Sequence, residues 1–315
     1  MEGARFIAGD WGTTHLRLSL CDGEGVALES RNGPGAAEAA GRFASIFASL
    51  TADWDARYGK LPAVLCGMVG SSLGWLQAPY VPCPARPEQI AAACLGIEDE
   101  PRSAGRGMGA PRIHVVPGLS CRNRFGAPDV LRGEETQLLG ALTLVEELRT
   151  GPQLACLPGT HTKWVMLQDG QVRDFFTAPT GELFAVLRDH SVLVRQSRET
   201  FATEAFEEGL ASVAEQPTTQ LLHRLFECRS RPLSNELPAT SASAYLSGLL
   251  IGSDVHGALR VLSSAFAPRT IVLVGAPQLT QLYARACATV GLDTRQLDGV
   301  TASLAGLTQV YSRLS

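Results

Sequence analysis

Residues 6–20, FIAGDWGTTHLRLSL, set two short apolar runs on either side of a polar Gly-Thr-Thr tip. The second run alternates apolar with polar positions, the period of a strand that buries one face. Asp22-Gly23 follows as a hairpin signal, and VALES resumes the extended pattern. The segment therefore predicts strand, Gly-Thr turn, strand, Asp-Gly turn, strand. Half a chain later the pattern returns in LACLPGTHTKWVMLQDGQVRDFF. There Gly159-Thr160 takes the place of Gly12-Thr13, and Asp169-Gly170 that of Asp22-Gly23. Strands are also expected at AVLCGMV (63–69), IHVVPG (113–118) and TIVLVG (270–275), and a helix at GEETQLLGALTLVEELR (133–149). An internal repeat with a period of half the chain predicts an α/β protein of duplicated lobes, 1–150 and 151–315.

Composition narrows this picture. A 315-residue chain that is 45% hydrophobic can bury a large core. Its net charge of -4 gives no basic surface for nucleic acid. The eight cysteines include no CxxC pair, so neither a zinc site nor a thioredoxin motif is indicated. No signal-like N-terminus and no long uncharged apolar stretch occurs, which gives an expectation of a cytoplasmic protein without a membrane partner.

Gly-Thr turns between strands have a chemical use. Glycine admits close approach of backbone N–H groups to a phosphate, and hydroxyls add donors. Two such hairpins across a cleft would hold a polyphosphate from both sides, although plain hairpins satisfy the spacing equally well. The halves differ: Asp10 precedes the first turn, Leu157-Pro158 the second. A carboxylate on one side alone suits a hydrated Mg²⁺. Glu134 and Glu135 begin the helix after Arg132. Acids there favour the helix dipole, but one of them could accept a hydroxyl proton, while Arg132 could hold an anionic substrate group.

These features resemble the sugar kinase/Hsp70/actin superfamily. GDWGTTHLRLSL, GMVGSSLGWLQAPYVPCPA, PDVLRGEETQLLGAL, LPGTHTKWV and FTAPTGELFAVLRDHSVL are similar, more closely, to the 2-dehydro-3-deoxygalactonokinase family over essentially the whole chain. The resemblance implies a two-lobed actin-like ATPase (ribonuclease H-like) fold of duplicated mixed-sheet domains with a nucleotide cleft between them. It implies ATP-dependent phosphorylation of 2-dehydro-3-deoxy-D-galactonate at its 6-hydroxyl, with ATP and Mg²⁺. On it, Gly12, Thr13 and Thr14 meet the ATP phosphates from one lobe, and Gly159, Thr160 and Thr162 from the other. Asp10 orients the metal, Gly275 passes close to adenosine, and Glu134, with Glu135 as second choice, is the base. Gly67–Pro84 becomes a substrate loop, in which Ser71, Trp75 and Tyr80 are candidate sugar contacts beside Arg132. Where the family pattern expects Asn, an Arg-Gln pair and a glycine pair or triplet, this chain has His15, Ser72-Leu73 and the single Gly275.

Rival readings have weaker support. GSSLG (70–74) matches a nucleophile elbow with Ser72 as nucleophile, but the proline-rich WLQAPYVPCPARP that follows cannot be the required helix. GRGMGA (105–110) has the wrong spacing for a dinucleotide motif and runs into Pro111. Asp189-His190-Ser191 is a triad in letters alone. A phosphatase or a nucleotide-dependent sugar sensor of the same superfamily is the remaining alternative. Oligomeric state, including a homo-oligomer, and epimer preference stay open.

Overall fold

The computed structural model describes residues 3–97, 112–194, 202–216, 220–262 and 269–314. In chain order the first part contains β1 (Phe6–Trp11), β2 (His15–Cys21), β3 (Ala27–Pro34), α1 (Ala36–Ala39), α2 (Phe43–Tyr58), β4 (Ala63–Gly67), β5 (Tyr80–Pro82), α3 (Pro87–Ala92), β6 (Leu95–Ile97), β7 (Ile113–Val115), β8 (Gly118–Arg122), β9 (Pro128–Leu131) and α4 (Glu134–Leu144). Then follow β10 (Pro152–Leu157), β11 (Thr162–Gln168), β12 (Gln171–Ala178), α5 (Thr180–His190), α6 (Thr203–Glu215), α7 (Leu221–Arg224), α8 (Glu227–Leu233), α9 (Ala242–Leu262), β13 (Thr270–Gly275), α10 (Pro277–Ala288), β14 (Asp293–Asp298) and α11 (Gly299–Leu314). The chain divides into two compact units. One holds Met1–Gly151 with Leu167–Asp174 and Gly299–Ser315; the other holds Pro152–Met166 with Phe175–Asp298.

The repeat extends from sequence into sheet topology. The first sheet runs β3-β2-β1-β4-β7-β6, and the second β12-β11-β10-β13-β14. In each, an antiparallel meander is joined by its first strand to a parallel strand: β1 to β4, and β10 to β13. This strand order, found twice in one mixed α/β chain, is the duplicated ribonuclease H-like arrangement of the actin-like ATPase fold. The central strands are buried along their length, as AVLCG in β4 and IVLVG in β13 show, because both sheet faces are covered.

Local chemistry accounts for differences from the sequence pattern. The run 113–118 is two strands, broken at Pro117, with β7 in the large sheet and β8 in a small sheet ordered β5-β8-β9. The helix expected over 133–149 ends at Leu144, where Val145 turns extended (φ -121°, ψ 99°). A 3-10 turn over Glu146–Arg149 completes it, and the Arg149 guanidinium caps the released carbonyls of Leu142 and Thr143. The second meander turns in two residues, Asp169 and Gly170 both at positive φ (51° and 72°), whereas the first uses a longer turn. In that longer turn, the Asp22 carboxylate accepts the N–H groups of Glu24 and Val26. GRGMGA lies outside the described residues.

The C-terminal helix α11 packs in the first unit, against α4. A Cβ on Gly140 would stand 1.8 Å from the Ala302 carbonyl oxygen, and one on Gly306 would stand 1.9 Å from that of Thr136. The two helices therefore touch backbone to backbone, which only a pair of glycines permits.

Candidate functional site

In the first unit the tip between β1 and β2 is a tight turn, closed by the Gly12 N–H to the His15 carbonyl at 2.9 Å. The carbonyls of Gly12, Thr13 and Thr14 accept the N–H groups of Ala36, Ala37 and Gly35 at 2.9, 3.1 and 3.2 Å. Gly35 is required there, since a Cβ would lie 2.2 Å from the Thr13 oxygen. A trans peptide sets its N–H opposite its C=O. The N–H groups of Thr13, Thr14 and His15 therefore turn away from the supporting segment. With the exposed Thr13 and Thr14 side chains, they form a donor set suited to phosphate oxygens.

Asp10 sits just behind that tip, in register with Arg17 on β2. Its carboxylate accepts the Ser303 hydroxyl of α11 at 3.0 Å. Burial pushes Asp10 above the ordinary carboxylate range, partly offset by Ser303, the Arg17 charge and the Cys66 thiol. Two glycines bring the neighbouring elements together here. Gly67 ends β4 at φ +88°, and a Cβ on it would stand 2.8 Å from the Trp11 carbonyl oxygen and 3.5 Å from Asp10 Oδ1. Gly133, at φ +102°, faces the Gly67 Cα. The start of α4 thus adjoins the end of β1.

The paired acids at that start differ sharply. Glu134 is half-buried, and its Oε2 accepts the Arg132 N–H at 3.0 Å. Glu135 is fully buried; its oxygens accept the Gly133 N–H at 2.6 Å and the Thr136 hydroxyl at 3.1 Å. Burial, and then the neighbouring Glu134 charge, push the Glu135 carboxyl up to about 8. Glu135 therefore binds a proton in the folded chain over a pH range where the unfolded chain has released it. Its contribution to stability is complete below the ordinary carboxylate pKa and is lost as pH rises toward 8. Glu135→Gln is expected to flatten the stability–pH curve between about pH 5 and 8, removing a slope of up to roughly 1.4 kcal/mol per pH unit. Urea unfolding across that range measures it; an unchanged slope would show that Glu135 ionises normally.

The loop after β4 is held from Arg132. Its Nη2 donates to the Ala78 carbonyl at 2.8 Å, and its guanidinium carbon lies 4.4 Å from the Tyr80 ring centre. Its Nε and Nη1 are buried without an acceptor among the described residues. Tyr80 is exposed. Trp75 packs inward on Trp11 and Phe47, with ring centres at 6.4 and 5.8 Å. The Ser71 hydroxyl accepts the Leu73 N–H at 3.2 Å. Ser72 is exposed on turns that lead into no helix before Tyr80, so the elbow geometry is absent.

The second unit repeats the first hairpin's support. The Thr160 carbonyl accepts the Glu182 N–H of α5 at 2.9 Å, and a Cβ on Gly181 would lie 2.4 Å from the Gly159 oxygen. Gly181 thus plays toward Gly159 the part that Gly35 plays toward Thr13. Thr160 is exposed, while His161 meets the Glu182 carboxylate at 2.7 Å. Thr162 is wholly buried, its hydroxyl 2.7 Å from that of Tyr283. Lys163 is also buried and donates to the Thr177 hydroxyl. Gly275 ends β13 against Pro158, where a Cβ would stand 3.2 Å from the carbonyl oxygen. Asp189 pairs with Arg188 at 2.7 Å. A mainly apolar cavity of about 200 Å³ opens beside the loop, lined by Gly159, Gly181, Phe184, Ser243, Ser247 and Leu282. Apart from Gly159, sequence reading passed over these wall residues, although small residues four apart on α9 are the signal of a close approach. It also passed over Ser303, whose partner lies at the other end of the chain.

Among the described residues no group of three or more His, Cys, Asp or Glu could hold a metal ion, and no helix is long and apolar enough to cross a membrane. The family model of 2-keto-3-deoxy-galactonokinase matches residues 10–310. The chain is 38% identical over 316 aligned residues to the probable 2-dehydro-3-deoxygalactonokinase of Rhizobium meliloti, covering 96% of this chain and 95% of that one. It is 36% identical over 310 to the 2-dehydro-3-deoxygalactonokinase of Escherichia coli, covering 98% and 97%. The crystal structure of a candidate 2-dehydro-3-deoxygalactonokinase from Sinorhizobium meliloti superposes with a TM-score of 0.87 at 36% identity, over 98% of this chain and 99% of that one.

Proposed function

The chain belongs to the 2-keto-3-deoxy-galactonokinase family, and from that premise we propose that it transfers the γ-phosphoryl group of ATP to the 6-hydroxyl of 2-dehydro-3-deoxy-D-galactonate. The observation that carries the reading is the twofold hairpin, each tip tied from behind through its carbonyls to a segment with an obligatory glycine. Phosphoryl transfer asks chiefly for positioning and neutralisation of charge, which such donor arrays supply.

In this mechanism Gly12, Thr13 and Thr14 bind phosphate oxygens from one hairpin, and Gly159 and Thr160 from the other. Thr162, its hydroxyl held by Tyr283, supports the second hairpin from within. The cavity beside Gly159 takes the adenosine, and Gly275 lets β13 close against Pro158 at its edge. Glu134 receives the proton of the sugar hydroxyl as its oxygen bonds to the γ-phosphorus; the bond to the β–γ bridging oxygen breaks and ADP leaves. Arg132, its guanidinium held by the Ala78 carbonyl beside the Tyr80 ring, supplies the positive charge for the substrate carboxylate. Tyr80 walls that side, and Trp75 and Ser71 shape the loop.

A half-buried carboxylate, Asp10, with no cage of three or more ligating side chains around it among the described residues, fits Mg²⁺, which keeps its waters and binds largely through substrate phosphates. When bound with the nucleotide, that ion neutralises the phosphate charge. Use of ATP as donor supports a cytoplasmic reaction. A coupled assay with ATP, Mg²⁺ and either 2-dehydro-3-deoxy-D-galactonate or its gluco epimer tests the proposal. Phosphorylation of the galacto acid is expected; turnover of neither acid would overturn the reading.

A further inference from the structure

Helix α9 is a long apolar helix that carries one acid, Asp254. Replacing water by protein around a carboxylate is unfavourable unless hydrogen bonds compensate. Here they do so densely. Asp254 Oδ1 accepts the Trp164 indole N–H at 2.8 Å, and Oδ2 accepts the hydroxyls of Thr180 and Tyr283, each at 2.6 Å. With the Tyr283 proton given to Asp254, the Thr162 hydroxyl donates to the Tyr283 oxygen across 2.7 Å. Burial still pushes the Asp254 carboxyl upward, and these donors pull it back.

The partners are not scattered. Thr162 is the first residue of β11, directly after Gly159-Thr160-His161. Thr180 opens α5, and the next two residues, Gly181 and Glu182, back the Gly159 and Thr160 carbonyls. Tyr283, on α10, also lines the cavity beside Gly159. One carboxylate thus grips the exit strand of the hairpin, the helix behind it and the wall of the adjoining cavity.

We propose that Asp254 is a positioning residue for the Gly159–Thr160 loop, holding that loop in the geometry that binds the polyphosphate of ATP; this rests on the reading of the hairpin as a phosphate site. An apolar side chain would fill the same space, but it would leave three donors without an acceptor and α5 free to shift on the hairpin. Asn at 254 keeps the volume and a single acceptor oxygen, and its amide group faces donors.

The test is direct ATP binding by calorimetry, with steady-state kinetics, on the full chain and its variants. Asp254→Asn is expected to raise the ATP Kd and KM at least tenfold while the KM for the sugar acid stays within twofold. Thr162→Val is expected to do the same and Thr162→Ser to restore tight binding, and this pair decides the matter if the Asp254 variant does not fold. A folded Asp254→Asn or Thr162→Val protein with unchanged ATP affinity, whatever its melting temperature, would overturn the inference while leaving the kinase reading in place. Failure of the unmodified chain to bind ATP would overturn both.

Discussion

Glu134→Gln is expected to lower kcat by about 10²- to 10⁴-fold, the range for loss of a general base, with little change in stability. The amide oxygen of Gln can still accept the Arg132 N–H that Glu134 Oε2 accepts at 3.0 Å, so the first turn of α4 is kept. On the proposed mechanism, what disappears is the capacity to take the sugar proton. Glu135→Gln is expected to leave kcat within a few-fold. Its carboxyl lies in the core, already engaged by Gly133 and Thr136, and its pKa of about 8 keeps it largely protonated at neutral pH. A protonated acid cannot serve as base. Steady-state kinetics on the two variants separate the roles, and a reversed pattern would move the base to Glu135.

Gly306→Ala is the substitution expected to damage the fold most. The added carbon would stand 1.9 Å from the Thr136 carbonyl oxygen and 3.1 Å from the Gly140 nitrogen. Neither atom can rotate away as a side chain would, so α11 and α4 must part. Overpacking of this kind costs about 1–3 kcal/mol and more where the backbone has to move, so a loss of about 3 kcal/mol is expected in chemical denaturation. Activity should fall as well. The same two helices carry Ser303, which bonds Asp10, and Glu134. Gly257→Ala is the matched control: that glycine is also helical, but among the described residues no atom beyond its chain neighbours and its own helix backbone lies within 4 Å of its added carbon. Ala there should be neutral or stabilising by up to about 1 kcal/mol. Equal stability of the two variants would show that α4 and α11 tolerate separation.

Much of the architecture was legible because it rests on local pattern. Apolar runs flanking Gly12 and Gly159, each followed by an Asp-Gly pair, announced the meanders, and their recurrence announced the duplication. Turn chemistry was less complete. Asp169-Gly170 forms the tight hairpin expected, while Asp22-Gly23 opens a longer turn that the Asp22 carboxylate organises. The strand at 113–118 splits at Pro117 because its two halves pair in different sheets, a matter of partners that no single segment carries. In the site, the letters GEE gave two equivalent acids. Only burial distinguishes them, since adjacent helix positions point about 100° apart and one of the two must enter the core.

By itself the sequence determined that this chain is a duplicated α/β protein with a Gly-Thr hairpin opening each repeat, one Asp, and an acidic helix start between them. Those features depend on neighbours a few residues apart, and periodicity with turn chemistry reports them directly. The tertiary structure alone decided that Glu135 is buried and Glu134 is not, that Thr162 braces the hairpin from inside, and that α11 returns to the first unit to reach Asp10. It alone showed that Asp254 binds Trp164, Thr180 and Tyr283 together. Each depends on which distant groups share a buried volume, where a carboxylate must find donors or a proton, and hydrogen bonds between elements far apart in the chain leave no periodic mark on it.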